Sequence, residues 1–124
     1  MAATPAALEL AQTLAQLAES KKGQQIRILD VSALHSLIDC FVLVTAYNAR
    51  HGLVIGEEAL AAVKSRGLQP WHLERAEDWI CGDFGDVVLH VFTEEARGYY
   101  DLDHLWADAP EVAWAPKPSQ AQAV

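Results

Sequence analysis

Positive charge is scarce in this chain. Only nine of its 124 residues are Lys or Arg, against seventeen Asp or Glu, for a formal net charge of -8 at pH 7. Binding to nucleic acid draws on an excess of cations to meet the phosphates, so unaided wrapping of RNA or DNA is not expected, nor is a sequence-specific nucleic-acid partner. Cysteine is nearly missing as well: Cys40 and Cys81 are the two present, too few for a disulfide-stapled secreted scaffold. Both fall in apolar runs. A bridge would be possible if they shared a sheet; the simpler reading is two buried small residues in a reducing compartment. No apolar run reaches membrane-spanning length. The start, Met1-Ala2-Ala3-Thr4-Pro5, lacks the basic residues and apolar core of a secretion signal. A cytoplasmic protein with no membrane partner is the expectation. Repeats and internal linkers are missing too. What is plentiful is apolar surface, at 52% of residues, which is ample for one domain-sized core.

Local signals divide the chain. Thr4-Pro5 is a helix start, a capping hydroxyl followed by proline at the first helical position. Leu10, Leu14 and Leu17 follow at helical spacing. Lys21 and Lys22 suit the negative helix end and Gly23 the left-handed residue beyond it, so the first helix is expected from Pro5 to about Lys21. Ile26 to Val31 reads as a strand and Ser32 to Leu37 as a turn. Cys40 to Thr45 is apolar without alternation, which fits a central strand covered on both faces. A second helix is expected from Asn48, its cap, to Arg66, stopped by Gly67. Its inward row is either Leu53, Gly56, Leu60 and Val63 or Ile55, Ala59 and Ala62. Trp71 to Leu73 reads as a short strand. From Ala107 the chain turns to Ala, Pro and Gln. We therefore expect one domain over residues 5–106 and a loosely ordered tail over residues 107–124.

The stretch from Asp78 to Trp106 carries the most information. Trp79 to Asp83 and Val87 to Phe92 flank a tight Asp83-Phe84-Gly85-Asp86 turn, which is a hairpin signal with Gly85 supplying positive φ. Thr93 can cap a last helix, with Glu94 and Glu95 in its first turn. That helix is expected to break near Gly98 and to restart from Tyr100 to Trp106. Helix, strand, strand, helix, strand, strand, strand, helix is the order of an α/β fold: a single mixed β-sheet packed with helices.

Three patterns invite a catalytic reading. Asp83-Phe84-Gly85 spells the kinase magnesium motif, but the glycine-rich loop, strand lysine and H-R-D loop are missing. Asp101 and Asp103 form a D-x-D pair, and with Asp83 they are the residues a small magnesium-dependent nucleotidyltransferase would use. No Gly-Ser pair stands upstream, and Asp83 and Asp86 are read more simply as turn residues. The five histidines and two cysteines show no zinc-finger or His-x-x-x-His spacing. His90, in an apolar strand, is read as a hydrogen-bonded core histidine. No cofactor or metal is expected. Trp79, Tyr99, Tyr100 and Trp106 are the side chains that dominate binding energy at interfaces, unless they cap the core. Helical spacing from Leu102 favours core packing for Leu105 and Trp106; for Trp79 and Tyr100 the interface is favoured.

In one register, Trp79, Asp83, Phe84, Gly85, Asp86, Val87, Val88, Leu89, His90, Val91 and Phe92 are followed by Glu94, Glu95, Arg97, Tyr100, Leu102, Asp103, Leu105 and Trp106. This series resembles the ribosomal silencing factor (Iojap) family. Leu29-Asp30-Val31, Asp39-Cys40-Phe41-Val42, Thr45-Ala46 and Arg50-His51 match it too. The chain departs from the pattern in the short, glycine-free Glu74 to Asp78 loop, in Gly82 for an apolar residue and in Asn48 for a serine. The resemblance implies a nucleotidyltransferase-like fold without the catalytic site. It also implies binding to large-subunit ribosomal protein fourteen, which blocks joining of the small and large subunits and represses translation when nutrients are scarce. Steric exclusion needs no catalytic residue. The contacts it implies are Trp79, Asp83, Phe84, Asp86, Arg97, Tyr100 and Asp101, with Tyr99 added by proximity. An exposed aromatic patch would also suit a homodimer of the free chain.

Overall fold

The computed structural model describes residues 2–68 and 72–114. Its elements in chain order are α1 (Pro5–Ser20), β1 (Gln24–Asp30), β2 (Cys40–Ala46), α2 (Ala49–Ser65), β3 (His72–Arg75), β4 (Trp79–Asp83), β5 (Val87–Thr93), α3 (Glu94–Tyr100), α4 (Leu102–Leu105) and β6 (Glu111–Val112). The strands form one mixed sheet in the order β3-β4-β5-β2-β1-β6. Among the described strands only β2 and β5 run parallel, from Cys40 opposite Val87 to Ala46 opposite Thr93. They occupy the centre, and every residue of β2 is buried. This is why its apolar run lacks alternation: both faces of the sheet are covered there.

Short-range chemistry starts the helices. Thr4 Oγ1 accepts from the Ala7 amide at 3.1 Å, Asn48 Oδ1 from His51 at 2.8 Å and Thr93 Oγ1 from Ala96 at 3.2 Å. Each satisfies an amide that the first helical turn leaves without a partner. One face of the sheet packs under α1 and α2. Leu10, Leu14, Ile28, Val42, Val44, Ile55, Val63, Ile80, Leu89 and Val91 meet there. Gly52, Ile55, Gly56, Ala59 and Val63 are the buried row of α2, which runs between the two rows expected. On the other face Leu29, Phe41, Leu43, Val88 and Phe92 meet Ala96 of α3, with Leu102 and Trp106 beside them.

Four expectations are corrected. The left-handed residue after α1 is Lys22, at φ 70°, not Gly23. Gly23 is there for space, because a Cβ would lie 2.7 Å from Val44 Cγ1 and 2.9 Å from the Ala18 carbonyl oxygen. The last helix runs through Gly98 and breaks at Asp101, which takes φ 53° and turns its side chain to cap α4. The third strand continues past its expected end at Leu73 and runs His72–Arg75; Trp71, expected to begin it, lies outside the described residues. Finally, the beginning of the expected tail is part of the fold. Glu111–Val112 pairs antiparallel with Leu29 and Ile28. The Trp114 indole nitrogen donates to the Ile26 carbonyl at 3.3 Å, and Gln12 and Gln16 donate to the carbonyls of Ala113 and Trp114 at 3.0 Å each. β1 had a free edge, and backbone groups there take partners wherever the chain can reach. Residues 115–124 lie outside the described residues.

Candidate interaction surface

Strand alternation builds the surface. Trp79 and Cys81 point to the face away from α1 and α2, while Ile80 between them enters the core under those helices. Trp79 stands opposite Phe92 on β5, and its ring lies 4.9 Å from that of Phe92 and 4.6 Å from that of Tyr100. Tyr99 meets Tyr100 edge-on at 5.0 Å. A run of aromatic rings therefore leads from the second core outward to solvent. Tyr100 is 42% exposed and Tyr99 80% exposed. These two sit at the end of α3, whose course is set by the Thr93 cap and by Ala96 packed against the sheet.

His90 holds the indole from beneath. The Trp79 Nε1–H donates to His90 Nδ1 at 3.2 Å, so that nitrogen is the acceptor and the ring hydrogen sits on Nε2. His90 is 7% exposed, and Nε2 has no hydrogen-bond partner among the described residues. Its ring meets Phe41 edge-to-face at 4.9 Å. Burial pushes its pKa down to about 4, so it is neutral at physiological pH. The sequence reading of a hydrogen-bonded core histidine holds, with the surface tryptophan as its partner.

The structure brings together only part of the expected contact set. Trp79, Tyr99, Tyr100 and the exposed Asp101 are contiguous. Asp83 shares the face of Trp79 but lies four residues along β4, about 13 Å away at strand spacing. It and Asp86 are exposed at the hairpin end, where Asp83 Oδ1 accepts from the Gly85 amide at 3.1 Å. Gly85 has φ 91°, as the turn requires.

Phe84 and Arg97 sit inside the fold and not at its surface: both are buried. Phe84 is 5% exposed and joins the core under α1 and α2. Its ring covers Gly82, where a Cβ would lie 2.7 Å from Phe84 Cζ, and this explains the glycine at a position expected to be apolar. Arg97 is spent inside the chain. Its Nε and Nη2 donate to the two carboxylate oxygens of Asp103 at 2.9 and 3.0 Å, and Nη1 donates to Thr45 Oγ1 at 3.0 Å and to the Gln25 carbonyl. Trp106 also turns inward, edge-on to Phe41 at 5.1 Å. Leu105, expected in the core, is exposed.

A family model described as ribosomal silencing factor during starvation matches residues 4–124. The chain belongs to that family. A ribosomal silencing factor of Halalkalibacterium halodurans is 32% identical over 106 residues, which is 84% of this chain and 91% of that one. The chloroplastic Iojap protein of Zea mays is 31% identical over 112 residues, 85% of this chain and 46% of that longer one. A crystal structure of a Chromobacterium violaceum protein superposes with a TM-score of 0.76 at 28% identity, covering 90% of this chain and 96% of that one. The mixed sheet thus has the architecture of solved relatives. Membership makes this chain a ribosome-associated regulator of translation.

Catalytic and metal candidates are placed as well. Asp103 is held by Arg97 and by Arg27, whose Nη1 lies 2.8 Å away, and Asp101 caps α4. Among the described residues no three His, Cys, Asp or Glu side chains lie together as a metal site. Cys40 and Cys81 are free thiols on opposite faces of the sheet, and burial pushes Cys40 up to about 12. No described helix is long and apolar enough to cross a membrane.

Proposed function

We propose that this chain binds the large ribosomal subunit in the cytoplasm through the Trp79–Tyr100–Tyr99 surface and keeps the small subunit from joining. Its target is large-subunit ribosomal protein fourteen, and it acts by bulk and affinity, without catalysis. The observation that carries this reading is the exposed aromatic surface, continuous with the second core and braced by His90. Solvent-exposed tyrosines beside a half-buried tryptophan give rigid, amphipathic area at small entropy cost, the chemistry of an interface centre. Asp83, Asp86 and Asp101 are exposed, and in a chain of net charge -8 they favour a basic partner. Phe84 and Arg97 act from inside the fold. In the free chain the same rings form the surface for a second copy, and sizing at several concentrations measures that.

Co-sedimentation with separated subunits tests the proposal. Selective pelleting with large subunits, and loss of whole ribosomes when the small subunit is added, are the expected results. Tyr99→Ala and Tyr100→Ala leave the fold intact and weaken binding by about 2 kcal/mol for whichever ring is central, roughly 30-fold in Kd. No pelleting with either subunit would overturn the proposal. The alternative, a magnesium-dependent nucleotidyltransferase, requires carboxylates free to hold the ion. Magnesium and a nucleoside triphosphate would then raise the unfolding temperature.

A further inference from the structure

Among the described residues, the fold gathers the uncommitted positive charge of this acidic chain into one place. Arg27, Arg66, Arg75 and Arg97 are each held by a carboxylate. Lys64 has a partner as well, and Lys117 lies outside the described residues. The remaining Lys and Arg among the described residues are Lys21, Lys22 and Arg50. They come from the end of α1 and the start of α2, yet they line a single open cleft of about 410 Å³ together with Tyr47, Asn48, His51 and Val54. The cleft is held in shape by His51. Its Nδ1 accepts from the Tyr47 amide at 2.9 Å, so Nε2 carries the hydrogen and donates to the Lys21 carbonyl at 2.7 Å. This ties one helix end to the other. The His51 ring also stacks beneath Tyr47 at 4.9 Å and 19°. Tyr47 is fixed further by Gln24, which donates to its hydroxyl at 2.9 Å, and remains 63% exposed.

We propose that this cleft docks on RNA of the large subunit, with Lys21, Lys22 and Arg50 against backbone phosphates and the outer face of Tyr47 under an unpaired base. The inference rests on the large-subunit reading above and adds a second foot to it. Three cations beside a braced, exposed aromatic ring are the combination that meets single-stranded or looped RNA; an acidic protein segment would use the charges and leave the ring idle. The location suits a two-footed contact. Asn48 and Trp79 border the same small hollow at the ends of β2 and β5, so the basic cleft and the aromatic surface share one end of the sheet. A chain of net charge -8 is repelled by bare RNA. A local cluster lets it tolerate RNA only where a protein contact already holds it.

The test measures the affinity of the full chain for purified large subunits over a range of salt concentrations. The Lys21→Gln/Lys22→Gln/Arg50→Gln variant changes exposed side chains, and a thermal melt checks its fold. Loss of about three phosphate contacts should lower the slope of log affinity against log salt by about 2 to 3, with at least a tenfold loss at low salt. Arg66→Gln, which removes a cation elsewhere, should leave the slope unchanged, and Tyr99→Ala should lower affinity at an unchanged slope. A diazirine side chain placed at Val54 should crosslink to ribosomal RNA. A wild-type slope in the triple variant would overturn the inference and leave the large-subunit reading standing. A crosslink to ribosomal protein alone would assign the cleft to an acidic protein segment and overturn the RNA assignment. Failure of the wild-type chain to bind large subunits at all would overturn both.

Discussion

Removing Asp103 should destabilise the fold by an amount that its surroundings set. Arg97 has a side chain only 9% exposed, and both carboxylate oxygens of Asp103 face it. Asp103→Ala leaves a buried guanidinium with a hydroxyl and a carbonyl as its remaining acceptors. Removing one partner of a buried ion pair costs about 3–5 kcal/mol. Asp103 itself is 26% exposed, so water enters the vacated space, and the lower end applies, about 3 kcal/mol. For a chain of this size that is a fall of about 12 °C in Tm. Urea unfolding followed by circular dichroism reads it as a lower midpoint at an unchanged slope. The effect depends on pH in a defined direction. The hydrogen bond from Arg97, with help from Arg27, holds the Asp103 carboxyl below its ordinary pKa. Its stabilisation is present above the ordinary carboxylate pKa and is lost as pH falls through the lowered folded value. The gap between wild type and variant should therefore narrow below about pH 4. Arg97→Met combined with Asp103→Ala should recover part of the loss, because no unpaired charge is left buried. A single variant within about 0.5 kcal/mol of wild type that bound ribosomes poorly would refute the reasoning and make Arg97 a contact residue after all.

His90 supplies a second pH effect. It is neutral in the fold with a pKa of about 4, whereas the unfolded chain takes up the proton near 6.5. Stability should fall as pH drops from 6.5 toward 4, by about 3 kcal/mol from this group; His90→Gln should remove that slope, and an unchanged slope in the variant would disprove the assignment. Two glycines in helices should respond in opposite ways. Gly56→Ala places a Cβ 2.7 Å from Ile80 Cγ2 and should cost about 1–3 kcal/mol through overpacking, whereas Gly98→Ala meets nothing within 4 Å among the described residues and should stabilise α3 by about 0.5–1 kcal/mol. Urea midpoints for the pair check both signs.

The amino-acid sequence by itself determined what is decided within a few residues. Thr4, Asn48 and Thr93 cap their helices because the amides they satisfy lie three positions on. Gly85 closes the hairpin because that turn needs positive φ. The unbroken apolar run of β2 marks it as a strand covered on both faces, and the ordered series from Trp79 to Trp106 carries the family resemblance by itself. Tertiary structure alone decided which members of that series reach solvent. Arg97 and Tyr100 lie three residues apart in one helix, yet one is closed in by Thr45, Gln25 and Asp103 while the other is open. Composition makes residues 107–114 look like a tail, and only the free edge of β1 draws Glu111 and Val112 into the sheet. Lys21 and Lys22 looked like an ordinary helix end until His51 joined that end to the start of α2. Capping and turn formation are local, whereas burial, charge pairing and the gathering of side chains into a surface depend on segments that meet only when the chain folds.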